Sequence, residues 1–170
     1  MWLARFAIIP AIANASDGGL TPSTIWTGIA IAWIAAGAIT SKSPKAGLTV
    51  VGVLGMVVSF YLGGQHYSDA PALCDAGNLY SCSTVNTSEY SELFGFPIAF
   101  LGLGHFAALA TLANLHNDRE EEYASAGSLL FIASVFAVLY SVVLAILSKV
   151  VIGAWCLFCI SLYGLNAVGL

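Results

Sequence analysis

The motif Cys156-Leu157-Phe158-Cys159 places two thiols three residues apart within an apolar run. On a helix, residues three apart share a face at about 5–6 Å, a separation that a disulfide tolerates. We expect the motif near the start of a helix, where unpaired N–H groups and the helix dipole favour a thiolate, although surrounding lipid disfavours the charge. A thiolate attacks a disulfide or a quinone carbon, so the motif favours redox chemistry. The alternative is that both cysteines are small buried hydrophobic residues.

The other two cysteines, Cys74 and Cys82, lie in Gln65–Leu93, the long polar segment of the chain. Loops of this length usually have a function or a local structure, and we expect a short helix over Ser83–Leu93, capped by Ser83. Three interpretations stay open: a permanent disulfide staple, a shuttle in which one loop thiol exchanges with the Cys-x-x-Cys pair, and a zinc site. The spacing disfavours zinc, whose structural ligands usually come in pairs about two to four residues apart. Cys82 leads into the expected helix, so it is the thiol expected to face the Cys-x-x-Cys pair.

Two further features accompany the cysteines. Tyr163 follows Cys159 by four residues and therefore lies on the same helix face. A phenol buried in lipid needs a hydrogen-bond partner, which a quinone carbonyl beside Cys159 would supply; alternatively, Tyr163 is a packing residue. The loop acids Asp75, Glu89 and Glu92 are interpreted as a solvated acidic face.

The composition indicates that these residues belong to a membrane protein. Of the 170 residues, 59% are hydrophobic and only 8% are charged, against about 25% charged in soluble domains. Without a basic stripe, nucleic-acid binding has no electrostatic basis. Apolar runs approach or exceed the roughly 20 residues that a hydrocarbon core of about 30 Å requires, and His105 is the ionisable residue inside them. The runs are residues 24–40, 46–64, 94–114, 123–147 and 150–170.

Basic residues in the turns predict which side of the membrane the cysteine loop faces. Lys42 and Lys45 lie in one turn and Arg119 in another, on the same side if the spans alternate, against Lys149 on the other side. Because Lys and Arg favour the cytoplasmic side, the loop is expected to face the extracytoplasmic side. Residues 1–23 are expected to form either an interfacial helix or a weak signal peptide.

Several motifs occur together in a fixed order along the chain. The loop contains Leu73-Cys74-Asp75-Ala76-Gly77 and Ser81-Cys82-Ser83, followed by Ser88. Gly95-Phe96-Pro97 with Gly102 opens the next apolar run, and Tyr163 follows the Cys-x-x-Cys pair. With these motifs the chain resembles the vitamin K epoxide reductase family, in its microbial form, over about residues 46–170. The resemblance implies an all-α, polytopic membrane protein with a four-helix bundle around a quinone, capped by the cysteine loop.

The resemblance also implies a role for each cysteine. Cys159 would react with the quinone, and Cys156 would form the exchange disulfide with Cys82. Cys74 would receive electrons from a partner thiol protein. This partner is expected to be a separate thioredoxin-like protein, secreted or periplasmic.

The quinone, of menaquinone, ubiquinone or phylloquinone type, is expected from the same resemblance. Ser88 and Tyr163 would hydrogen-bond or position its head. The asparagine donor that the family has on its second bundle helix finds no match here. Recognition of the other quinone oxygen is therefore left open.

We expect three segments: residues 1–23, an extra transmembrane helix with its turn over 24–45, and a catalytic bundle over 46–170 with its loop at 65–93. The leading function is a membrane thiol–quinone oxidoreductase that supports disulfide bond formation, without metal or nucleic acid. One alternative is reduction of vitamin K or its epoxide, as in animal members of the family. Another, from a different class, is a non-catalytic membrane scaffold with structural disulfides.

Overall fold

The computed structural model describes residues 22–75, 79–115 and 120–170. Some of the sequence-based predictions lie outside these ranges. They are the interfacial helix or signal peptide up to residue 21, the Ala76-Gly77 part of the loop motif, and the part of the second basic turn at 116–119.

The described chain is almost entirely helical. Its helices are α1 (Pro22–Lys42), α2 (Pro44–His66), α3 (Cys82–Asn86), α4 (Ile98–Leu115), α5 (Glu120–Leu147) and α6 (Leu157–Val168). Between α3 and α4 lie a 3₁₀ turn, Glu89–Ser91, and a small antiparallel hairpin of β1 (Glu92–Leu93) and β2 (Phe96–Pro97). Within these ranges, the helices long and apolar enough to cross a membrane are Ser23–Lys42, Pro44–His66, Ile98–Leu115 and Gly127–Ile152. The prediction of an all-α polytopic membrane protein is confirmed.

The turn between α1 and α2 follows from local sequence. Ser43 caps α2, since its Oγ accepts the N–H of Ala46 at 3.5 Å. Pro44 occupies the first helical position, where a missing N–H costs nothing. A single residue therefore joins the two helices, which pack against each other.

Small residues let α2 and α4 approach closely, and this pair makes the most extensive helix contact of the described chain. A Cβ added at Gly52 would lie 2.7 Å from the Cβ of Ala110, and one added at Gly55 would overlap the ring of Phe106. Phe106 itself is almost fully buried. Close packing through glycine is the usual way in which helices associate in lipid, where the hydrophobic effect does not drive them together.

The last helix begins later than the sequence indicated. Val150 was expected to start the final apolar run, but Ser148–Ile152 continues α5 as a π-helical turn, and Gly153 ends it with φ 78°. The backbone N–H of Ala154 then donates to the carbonyl of Ser148 at 3.2 Å. Helix α6 has 12 residues, about 18 Å at 1.5 Å per residue, so it is shorter than a hydrocarbon core.

The short loop helix also differs from its prediction. It spans Cys82–Asn86, and its cap is Ser81 instead of Ser83: the Ser81 Oγ accepts the N–H of Thr84 at 3.2 Å. Ser83 cannot cap the helix because its hydroxyl is hydrogen-bonded to the carboxylate of Asp75. The helix therefore starts at Cys82, one of the two loop cysteines.

Candidate redox site

The loop cysteines are joined to each other. Cys74 and Cys82 form a disulfide with a Cα–Cα distance of 5.8 Å. Both residues are completely buried, at 0% exposure, in an apolar cluster that also contains Cys156 and Leu157. A partner thiol can reach either sulfur only after the loop has opened, because attack on a disulfide requires access to the sulfur along the S–S axis.

Asp75 holds the loop pair in place, so its interpretation as part of a solvated acidic face is wrong. Its carboxylate accepts the N–H of Ala72 at 3.1 Å, the N–H of Ser83 at 3.0 Å and the hydroxyl of Ser83. Burial by itself would raise the pKa of Asp75, but the hydrogen bonds from Ser83, Ala72 and Cys82 outweigh it and lower that pKa below the ordinary value. The carboxylate thus lies at the N-terminus of α3, beside both loop cysteines.

A second acid of the supposed solvated face is also paired. The Oε1 of Glu92 lies 2.9 Å from the Nε2 of His66, whose Nδ1 lies 2.7 Å from the carbonyl oxygen of Asn86. The side chain of Asn86 in turn donates to the carbonyl of Leu62 at 2.7 Å. These contacts connect the hairpin and the end of α3 to the last turn of α2.

A backbone bridge connects the loop pair to the membrane pair. Ser81 donates its N–H to the carbonyl of Trp155 at 3.1 Å, and Trp155 donates its own to the carbonyl of Leu79 at 2.9 Å. These bonds form a parallel bridge between Tyr80 and Trp155. The residue after Ser81 is Cys82, and the residue after Trp155 is Cys156. Cys82 and Cys156, which lie far apart in the sequence, therefore each follow one of two hydrogen-bonded backbone segments that lie side by side.

The membrane pair lies at the N-terminus of α6, as the sequence predicted. Cys156 and Cys159 form a disulfide with a Cα–Cα distance of 5.2 Å. Cys156 is the N-cap residue, and its Sγ accepts the N–H of Cys159 at 3.1 Å. A helix N-terminus stabilises negative charge, so in the reduced pair these groups favour a thiolate on Cys156. Cys156 is buried, whereas Cys159 is partly exposed towards a cavity.

This cavity, of ≈ 470 Å³, lies inside the bundle, within the range of about 300–1,000 Å³ usual for small-molecule sites. Ser88, Cys159 and Tyr163 all line it. The hydroxyl of Ser88 donates to the carbonyl of Val85 at 2.8 Å and keeps its lone pairs free as acceptors. Most of the wall is apolar, contributed by α4, α5 and α6; it includes Leu101, Phe106, Ala133, Phe136, Leu144 and Leu162.

The cavity wall also contains polar residues that the sequence motifs did not single out as part of the site. They include Asn86, His105, Ser141 and Asn166. Asn166 donates from Nδ2 to the Oγ of Ser141 at 3.3 Å, and its buried Oδ1 has no hydrogen-bond partner in the described chain. Its position seven residues after Cys159 was a usable signal, since residues i, i+4 and i+7 share a helix face.

The described residues include no group of three His, Cys, Asp or Glu side chains that could hold a metal ion. The site is instead two adjacent disulfides, one of which opens onto an apolar cavity within a helical bundle. This arrangement is that of a membrane protein whose paired cysteines are able to undergo thiol–disulfide exchange. The model of the Vitamin K epoxide reductase family matches residues 47–170, and the chain belongs to that family. Comparison with curated proteins and with solved structures found no match.

Membership of the family makes the protein a membrane oxidoreductase of the thiol–quinone and vitamin K epoxide class. It also supports a quinone in general as the group acted on, and a multi-pass position in the membrane. Helix α1 precedes the matched region.

Proposed function

We propose that the protein is a thiol–quinone oxidoreductase that supports disulfide bond formation. Electrons pass from a thioredoxin-like partner to Cys74 and Cys82, then to Cys156 and Cys159, and finally to a membrane quinone. The observation that carries the proposal is the backbone bridge between Tyr80 and Trp155, because it brings the two disulfides next to each other.

The transfer between the pairs balances as ordinary thiol–disulfide exchange. After a partner dithiol has reduced the loop disulfide, the Cys82 thiolate attacks the Sγ of Cys156, which releases Cys159 as a thiolate. Cys74 then attacks Cys82, which restores the loop disulfide and leaves Cys156 and Cys159 as a dithiol. Two electrons and two protons have moved from the partner to the membrane pair.

The residues of the cavity fit a quinone as the electron acceptor. The quinone supplies an acceptor for two electrons and two protons and leaves as a quinol. The wall is apolar, as a prenylated ring requires, and Tyr163 brings a phenol hydroxyl to it. We assign to Tyr163 the donor to one ring oxygen. The amide of Asn166 is assigned to the other: the second N–H of its Nδ2 can donate to the quinone oxygen, and its unpaired Oδ1 can accept the hydroxyl of the quinol. Ser88, two residues after the end of α3, also lines the cavity and is assigned a contact with the quinone head.

The loop is proposed to face the extracytoplasmic side. Lys42 and Lys45 lie at the turn between α1 and α2, whereas the loop follows the other end of α2. Lys and Arg near the ends of spans favour the cytoplasm, which puts the cysteines on the oxidising side. A membrane-impermeant maleimide, added to intact cells after reduction, should label Cys74 and Cys82; labelling only after lysis contradicts this orientation.

The experiment that tests the function uses the purified protein in lipid discs with a thioredoxin-like donor and a menaquinone analogue. We expect the wild type to reduce the quinone and Cys159→Ala to abolish turnover. In Cys159→Ala, Cys156 lacks the thiol that would release it from Cys82. The variant should therefore accumulate a Cys82–Cys156 disulfide, visible on non-reducing gels. Peptide mapping that finds only Cys74–Cys82 under every redox condition contradicts the shuttle. Unchanged turnover of Cys159→Ala supports the non-catalytic scaffold.

Reduction of vitamin K epoxide is the second candidate function, because the family includes that activity. It uses the same four cysteines and also a dithiol as the reductant, but the acceptor of the electrons is the epoxide, and the product is a quinone instead of a quinol. Incubation of the discs with the epoxide and a dithiol separates the two functions. Quinone reduction without epoxide turnover supports disulfide formation.

A further inference from the structure

Helix α1 contacts the redox site although it lies outside the region that the family model matches. It packs against α2 and α6. Ile29 is buried in the same apolar cluster as Cys74, Cys82 and Cys156. Helix α1 therefore contributes to the apolar cluster that surrounds the sulfurs of Cys74, Cys82 and Cys156.

Trp33 makes the most specific contact of α1. Its Nε1 donates to the backbone carbonyl of Ser161 at 3.1 Å. A Cβ added at Gly164 would overlap the indole ring, so the ring occupies a notch that exists only because residue 164 is glycine. One side chain of α1 thus fits α6 both by a hydrogen bond and by shape.

The contact lies on the face of α6 that points away from the cavity. Ser161 and Gly164 are about 200° and 140° around the helix from Cys159 at 100° per residue. Cys159 and Tyr163 line the cavity on the opposite face. Helix α6 has 12 residues, and the indole of Trp33 contacts it on the face opposite the cavity.

We propose that Trp33 is a positioning residue: it holds α6 from behind, so that Cys159 and Tyr163 keep their orientation in the cavity. The role of the extra helix α1 is then to complete the redox site. This inference rests on the proposed quinone reduction. Its physical basis is that small displacements of reacting groups lower the rate steeply, by about 10²-fold for 1 Å in sensitive cases.

The test compares quinone reduction by Trp33→Phe and Trp33→Ala with the wild type in lipid discs. Trp33→Phe keeps a ring in the notch but loses the N–H donor, so we expect kcat to fall about fivefold and KM to rise by a smaller factor, because Tyr163 is displaced together with Cys159. Trp33→Ala should lower kcat by more than about tenfold. Ile34→Ala, at the neighbouring lipid-facing position with 72% exposure, is the matched control and should keep the wild-type kcat.

Gly164→Ala provides a second variant that does not remove any side chain. It should lower kcat in the wild-type background but have little further effect in Trp33→Ala, where the notch is empty. An equal effect of Gly164→Ala in both backgrounds overturns the proposal. A wild-type kcat in Trp33→Phe also overturns the proposal. So does a fall in kcat that is matched by an equal change in the reduction rate of the Cys74–Cys82 disulfide, because this result indicates that the substitution loosens the whole site.

A readout without quinone separates this inference from the proposed function. In the fully reduced protein, alkylation of Cys159 should be about fivefold faster in Trp33→Phe than in the wild type, because α6 is held less firmly. If the wild type reduces no quinone, the proposed function fails; if alkylation still depends on Trp33, the positioning role stands. Identical alkylation rates overturn the positioning role.

Discussion

Removal of the Asp75 carboxylate should open the loop disulfide to reductants. In the folded loop both sulfurs are at 0% exposure, so reduction by a soluble dithiol requires transient opening. Asp75→Ala removes the acceptor for both donors of Ser83 and one of the two acceptors for the N–H of Ala72, the other being the Oγ of Ser83 at 2.9 Å. A hydrogen bond to a charged group contributes about 1.5–3 kcal/mol, but Asp75 is partly exposed and water replaces part of what is lost.

We therefore expect a loss of about 2 kcal/mol for the closed loop, which raises the open population about 30-fold. When opening is a fast pre-equilibrium, the rate of disulfide reduction rises by the same factor. Asp75→Asn keeps one acceptor oxygen and should show a smaller acceleration, about fivefold. The rate is measured by quenching with an alkylating reagent and mass spectrometry of the Cys74–Cys82 peptides.

The matched control is Asp69→Ala, which removes the same charge from an exposed position of the same loop. It should leave the rate unchanged, because Asp69 does not hold the backbone around the cysteines. Equal reduction rates for Asp75→Ala and the wild type show that the Asp75 carboxylate does not hold the loop closed. Equal acceleration by Asp69→Ala shows that long-range charge on the attacking dithiolate is the cause instead.

Three other predictions concern pH, packing and the cavity. Hydrogen bonds lower the pKa of Asp75 below its ordinary value of 3.8. The Asp75 carboxylate therefore stabilises the loop fully above pH 3.8, and this stabilisation is lost as the pH falls through the lowered pKa. Hydrogen exchange of the Ser83 amide between pH 2 and pH 6, corrected for intrinsic rates, should show protection falling only at the acid end. Gly55→Ala should destabilise the bundle by about 1–3 kcal/mol, because the added methyl group overlaps Phe106. Gly64 has open space around it, so Gly64→Ala should leave thermal unfolding in detergent unchanged. Equal melting temperatures of the two variants contradict the tight α2–α4 contact. Tyr163→Phe should raise KM for the quinone about fivefold by loss of one hydrogen bond, and an unchanged KM removes Tyr163 from the ring contact.

Much of the fold was predictable because the membrane restricts the choices. A chain with 8% charged residues must bury its surface in lipid, and in lipid its backbone must be hydrogen-bonded internally, as helices allow. The spans were therefore found from apolar runs alone. The start of α6 was missed because apolarity does not distinguish a π turn followed by Gly153 from a continuous helix; only the backbone conformation does.

The sequence by itself determined which atoms are able to do thiol–disulfide chemistry. Four cysteines in two closely spaced pairs, one in an apolar run and one in a polar loop, follow from residue type and spacing, since a disulfide depends on short separations. The tertiary structure decided how the pairs meet: the bridge between Tyr80 and Trp155 joins segments that no local pattern connects. It also decided what Asp75 and Trp33 contact. A carboxylate or an indole has the same sequence signature on a solvated surface as against a backbone N–H or carbonyl, and only its three-dimensional neighbours distinguish the two.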